Sequence, residues 1–139
     1  MRFAWAALVL ACVACTRPVD VTGSPSDEGC DPFLAALPVQ ILGETMRETV
    51  PTDASAAAWG DPPIIVRCGV STPATLAMDS GLVEVEGITW FPEPLTNGTL
   101  FTTVGIRPVI ELTVPRDYAP EVNTLLEVAP AVLAHTTTS

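Results

Sequence analysis

Two periodicities run through the chain. A period of two marks the strands. Ile64, Val66, Cys68 and Val70 fall on one side of an apolar stretch, while Ile65 and Arg67 fall on the other. Ile64, Val66, Cys68 and Val70 are expected to face the core, which turns Arg67 toward solvent or a carboxylate. Val83 and Val85 alternate with Glu84 and Glu86, and Ile110, Leu112 and Val114 alternate with Glu111 and Thr113. A period near 3.6 marks the helices. Cys30, Phe33, Leu34, Leu37 and Ile41 follow it after Asp31-Pro32, a capping residue and a proline suited to a first turn. Pro38 is expected to split this helix and Gly43 to stop it. Near the end, Val122, Leu125, Leu126, Ala129 and Leu133 form a second stripe, which Pro130 should bend or end.

The intervening segments complete the layout. Arg47 to Asp53 is polar and extended, and Ala54 to Trp59 reads as one or two helical turns. Gly60-Asp61-Pro62-Pro63 is a turn, because two prolines fix φ and remove two donors. Residues 71–81 form a loop. Leu82 to Phe91 is a hairpin turning at Glu86-Gly87, Pro92 to Gly98 a loop, and Leu100 to Val104 a strand. The expected fold is α+β: about five mostly antiparallel strands, helices packed on one face, and one disulfide. Residues 30–134 make the single domain, and 135–139 a disordered tail.

Ahead of the domain, Met1-Arg2 gives one positive charge, and residues 3–14 are an unbroken apolar or small run. The run is short for a membrane span and right for a signal peptide. It ends Cys12-Val13-Ala14-Cys15-Thr16, which resembles a bacterial lipobox. Residues 1–14 are therefore read as a lipoprotein-type signal peptide with the lipid on Cys15. Cys12 is the alternative attachment site, and ordinary secretion with cleavage near Ala14 the alternative process. Residues 15–29 are rich in Pro, Ser, Gly, Thr and Asp and read as a flexible tether. Extended, it would span about 50 Å and carry the domain clear of the bilayer.

Composition narrows the partners. The net charge is −10, and loss of the leader with Arg2 leaves 5 basic against 16 acidic side chains, a net of −11. Such a surface repels nucleic-acid phosphates and anionic lipid headgroups, so nucleic-acid binding is excluded and the folded part should stand off a membrane. Of the four cysteines, two lie in the leader region; an exported domain would pair the other two, Cys30 and Cys68.

Catalytic chemistry is sparse. His135 is the sole histidine and lies in the tail, and there is no Lys. Glu84, Glu86 and Glu111 could supply a carboxylate pair for a glycosidase, or else a solvated sheet face. No loop carries alternating Asp/Asn ligand spacing, so no metal and no cofactor are expected. Trp59, Asp61, Arg67, Trp90 and Thr103 are the candidate binding surface if the tryptophans are exposed; the alternative puts both in the core. Asn97-Gly98-Thr99 reads as a turn.

These residues resemble a family of actinobacterial exported proteins known as domain of unknown function 3515. The likeness spans about Cys30 to Ala131. It rests on Cys30 ahead of Leu37-Pro38, on Arg47 and Thr49, on Ala58-Trp59-Gly60-Asp61-Pro62-Pro63, and on Arg67-Cys68-Gly69-Val70. Val85, Gly87, Ile88, Trp90, Phe101 to Gly105, and Val114-Pro115 follow in order. Ile106 departs from the pattern, since many members follow the glycine with Arg. The resemblance implies secreted or lipid-anchored envelope proteins with the same paired cysteines, and implies no activity. The expectation is a lipid-anchored accessory or binding module on the outer face of the plasma membrane. Its partners would be the membrane, through its lipid, and an envelope protein or glycan. The alternative is a carboxylate-dependent hydrolase of wall material.

Overall fold

The computed structural model describes residues 16–139. The leader lies outside the described residues, and with it Cys15 and Cys12 as lipid sites. Twelve strands and two α-helices follow in chain order. The strands are β1 (Val19–Asp20), β2 (Gln40–Ile41), β3 (Glu44–Arg47), β4 (Thr49–Val50), β5 (Ala56–Trp59) and β6 (Ile64–Cys68). They continue with β7 (Val83–Val85), β8 (Ile88–Leu95), β9 (Gly98–Thr103), β10 (Ile106–Arg107), β11 (Ile110–Pro115) and β12 (Thr137–Thr138). Helix α1 is Asp31–Ala36 and α2 is Asn123–His135.

Eight strands form one antiparallel sheet in the order β2-β3-β5-β6-β11-β9-β8-β7. The protein is thus mostly β, with more strands than the five expected. Three features hid the extra strands. Ala56-Ala57-Ala58 has helical composition, yet it is a strand because β6 pairs with all three and β3 pairs with Ala58 and Trp59 from the other side. Gln40–Ile41 and Glu44–Arg47 pair across Leu42 (φ 50°) and Gly43 (φ 79°), a two-residue hairpin turn rather than a helix end. The Leu42 N–H is held by the Glu127 carboxylate of α2 at 3.2 Å, which fixes this turn against the helix. Third, β8 continues through Pro92 and Pro94, because β7 stops opposite Trp90 and leaves the rest of β8 on an edge.

Period two decides the two faces. Trp59, Ile64, Val66, Cys68, Ile110, Leu112, Val114 and Trp90 point inward, where α1 and α2 bury them with Phe33, Leu125, Val128 and Val132. Each large apolar side chain so buried contributes about 1.5–3 kcal/mol. The Cys30–Cys68 disulfide ties the chain just ahead of α1 to β6, with both cysteines fully buried. Helix α2 passes through Pro130, which lies on its exposed side, where water can take the freed carbonyl.

The opposite, outer face is covered at one end by the N-terminal segment. This corrects the tether. Val19 and Val21 are buried against Ala54 and Ala58, and β1 pairs in parallel with β4. Ser24, Ser26 and Asp27 are hydrogen-bonded to Arg67, Asp53 and Ser55. Two valines two residues apart give this short segment an apolar side, and the small side chains of β5 let it lie close. The tail is corrected too: β12 pairs with β10.

Candidate functional site

The expected recognition surface is not assembled. Trp59 is fully buried, and its indole N–H donates to the Pro38 carbonyl at 3.0 Å. Trp90 is also fully buried, beside its register partner Thr103, whose hydroxyl accepts from the Ile110 N–H at 2.9 Å. These three residues lie on the helix-covered side. Arg67 lies on the other side of the sheet, and Asp61 is exposed in the turn after β5. The period that put Ile64 and Val66 inward also put Trp59 inward, because Trp59 and Ile64 are register partners.

The residues around Trp59 instead form a brace. Arg47 donates to the Gly60 carbonyl at 2.7 Å and, with its other outer nitrogen, to the Arg17 carbonyl. Tyr118 donates its hydroxyl to the Pro62 carbonyl at 2.7 Å. Three separated segments, at Pro38, Arg47 and Tyr118, therefore meet at Trp59 to Pro62, and Arg47 ties in a fourth at Arg17. Gly60 is required there: its φ is +73°, and a Cβ would lie 2.5 Å from the Tyr118 hydroxyl oxygen. Burial, and then the carboxylates of Glu44, Asp117 and Asp61, push the Tyr118 phenol up from its ordinary value.

Arg67 organises the outer face. Its Nε donates to Ser24 Oγ at 2.8 Å, and its Nη1 reaches Glu111 at 3.4 Å and Thr113 at 3.5 Å. The last two contacts are long, so the outer edge of the guanidinium keeps donor capacity. The side chains of Arg67 and Glu111 are 21% and 22% exposed. Thr102, the register partner of Glu111, is buried with no hydrogen-bond partner for its hydroxyl among the described residues. Toward the β8–β9 turn, a cleft of ≈540 Å³ opens over Thr113, lined also by Pro62, Leu95, Thr96, Pro115 and Asp117. Leu95 is 41% exposed. The N-terminal segment bounds this strip over β5 and β6, and the 69–82 loop flanks it at β8, where Thr75 donates to Glu93 at 2.8 Å. Arg67 and Glu111 could be found from strand alternation. Thr113 shares the side of Glu111 by the same alternation, but Leu95 and Thr96 could not be found, since only the pairing of β8, β9 and β11 brings them beside it.

The carboxylates do not pair. Glu86 sits in the β7–β8 turn with φ 52°, off the face that Glu84 occupies. Glu84 and Glu111 share the outer face but are separated by β8 and β9. Three strand spacings put them roughly 14 Å apart, beyond the ~5–9.5 Å that glycoside hydrolysis uses. His135 ends α2, exposed to solvent. Among the described residues, no group of three metal-ligating side chains occurs.

A family model described as a protein of unknown function (DUF3515) matches residues 5–139. The chain belongs to this family. No curated protein and no solved structure matches it. In this DUF3515 chain, the motif of Arg47, Trp59 to Pro63 and Cys68 builds the brace and the disulfide, both structural, and leaves the outer strip as the candidate site. The disulfide points to an oxidising, extracytoplasmic compartment. Among the described residues, no helix is long and apolar enough to cross a membrane.

Proposed function

We propose that this DUF3515 chain is a lipid-anchored binding module of the cell envelope and that its outer strip is the contact surface. The observation that carries the reading is Arg67. It is half-buried, firmly oriented by Ser24 alone, and placed beside an open cleft with an exposed Leu95. A fixed guanidinium next to apolar surface is the arrangement that anchors interfaces, because little side-chain entropy remains to be lost on binding. The partner is an envelope protein or glycan with an acceptor for Arg67 and an apolar group for the cleft. A lipid on Cys15 would confine module and partner to one layer and raise their effective concentration. A diacyl anchor would hold stably where a single chain would not.

Intact-mass analysis of the chain from native membranes, with and without reduction and alkylation, tests the anchor. A diacylglycerol-modified Cys15 terminus, with two thiols appearing upon reduction, is expected. Photo-crosslinking from position 95 in whole cells tests the surface. A defined adduct that weakens with Arg67→Met and is missing from position 78 is expected. Equal labelling from both positions would refute the assignment.

A further inference from the structure

The absorbed tether changes where the domain sits. The Arg17 carbonyl is held by Arg47, the Val19 N–H donates to the Glu48 carbonyl at 2.8 Å, and Val21 is fully buried. The segment expected to lift the domain is therefore part of the domain. From Cys15 to Arg17 is two residues, a reach of about 7 Å. A headgroup layer is roughly 5–8 Å deep. A lipid on Cys15 would leave Arg17 at headgroup level and press the adjoining edge of the sheet onto the bilayer.

That edge has suitable chemistry. Two clefts lie side by side where the chain emerges. One of ≈350 Å³ is lined by Thr16, Arg17, Thr45, Met46, Arg47 and Glu48. The other, of ≈380 Å³, adds Pro18 and Val50. Met46 is 38% and Val50 49% exposed, apolar groups on either side of the cationic pair. Two of the five arginines beyond the leader lie here, Arg17 and Arg47, against two of the sixteen carboxylates, Glu48 and Asp20, the register partner of Val50. The patch is thus near neutral and partly apolar on a chain that is strongly acidic overall.

We propose that the edge formed by Arg17, Met46, Arg47 and Val50 is a membrane-contact face, resting on anionic phospholipid with the Arg17 guanidinium among the phosphates while Arg47 stays in the brace. This rests on the anchored reading above and adds an orientation to it. Each arginine near an anionic surface strengthens association about fivefold. Acidic surface elsewhere is repelled from the same headgroups, which favours this one edge. The outer strip is then held beside the membrane at a fixed angle. Met46 and Pro94 lie on the same cross-strand row, five strand spacings apart, which places the neighbouring Leu95 about 24 Å along the sheet from Met46.

The test uses the full chain, purified from membranes and reconstituted into phosphatidylcholine–phosphatidylglycerol vesicles with brominated acyl chains. Single variants Met46→Trp, Val50→Trp and Leu95→Trp are compared for fluorescence quenching, with the mass of each giving its lipid state. Trp59 and Trp90 are buried and give a constant background. Strong quenching at positions 46 and 50 but not 95, falling when Arg17→Gln is added, is expected. A chain lipidated on Cys15 in which all three positions are quenched alike, or none is, overturns the contact face and leaves the anchored reading intact. A chain carrying no lipid overturns both. Val50→Trp keeps the test decisive if Met46→Trp disturbs β3.

Discussion

Gly60→Ala separates backbone strain from packing at the brace. Gly60 adopts φ +73°, and the added methyl would sit 2.5 Å from the Tyr118 oxygen and 2.9 Å from Glu44 Cγ. The left-handed conformation alone costs about 1 kcal/mol with a side chain. Displacing Tyr118 loses its bond to Pro62, about 1 kcal/mol, and the overpacking adds about 1–2 kcal/mol. The expected loss is about 3–4 kcal/mol. Gly43→Ala is the control: its φ is +79°, but nothing lies within 4 Å of the new methyl. It should cost about 1 kcal/mol, the conformational part alone. In a Tyr118→Phe background the nearest clashing atom is gone, so Gly60→Ala should recover about 1 kcal/mol. Urea unfolding with the disulfide intact measures all four chains. Equal losses for Gly60→Ala and Gly43→Ala, or no coupling to Tyr118, would refute the brace.

Replacing Cys30 and Cys68 together by Ala opens a loop of 38 residues and should cost about 4 kcal/mol in the chain-entropy account; a melting temperature unmoved by reduction of the native chain would contradict this. Tyr118 is the sole tyrosine, so absorbance reads its ionisation directly. Its folded pKa lies above the unfolded one, so its contribution to stability is full below the unfolded value near 10 and is lost as pH rises through the folded value. A native midpoint at or below that of the urea-unfolded chain would sink the assignment. Glu111→Gln should change stability by less than about 1 kcal/mol, because the pair with Arg67 is long and partly solvated. Val21→Asp should cost about 3 kcal/mol, the cost of an unpaired buried charge, and release the N-terminal segment to proteolysis.

Alternation alone specified the inner and outer sides of β6, β7 and β11, and with them the outward Arg67 and Glu111, while the pairing of β6 with β11 made them partners. Export chemistry specified the pairing of Cys30 with Cys68, and Glu86-Gly87 marked its hairpin. These are local signals, carried by period two, by compartment and by a residue pair that favours positive φ. The rest depended on neighbours. Ala56 to Ala58 has no strand preference and became a strand because β6 pairs along it and β3 pairs with its end. Leu42-Gly43 became a hairpin turn with the Glu127 carboxylate of α2 on its amide. Residues 15–29 look like a linker in composition, yet Val19 and Val21 find an apolar floor on β5 that no window of sequence displays. The tryptophans offered equally a surface or a core, and the helices packed on the inner face made them core. The candidate strip and the proposed membrane edge draw on residues far apart in sequence, so only strand order, set by long-range pairing and burial, could place them side by side.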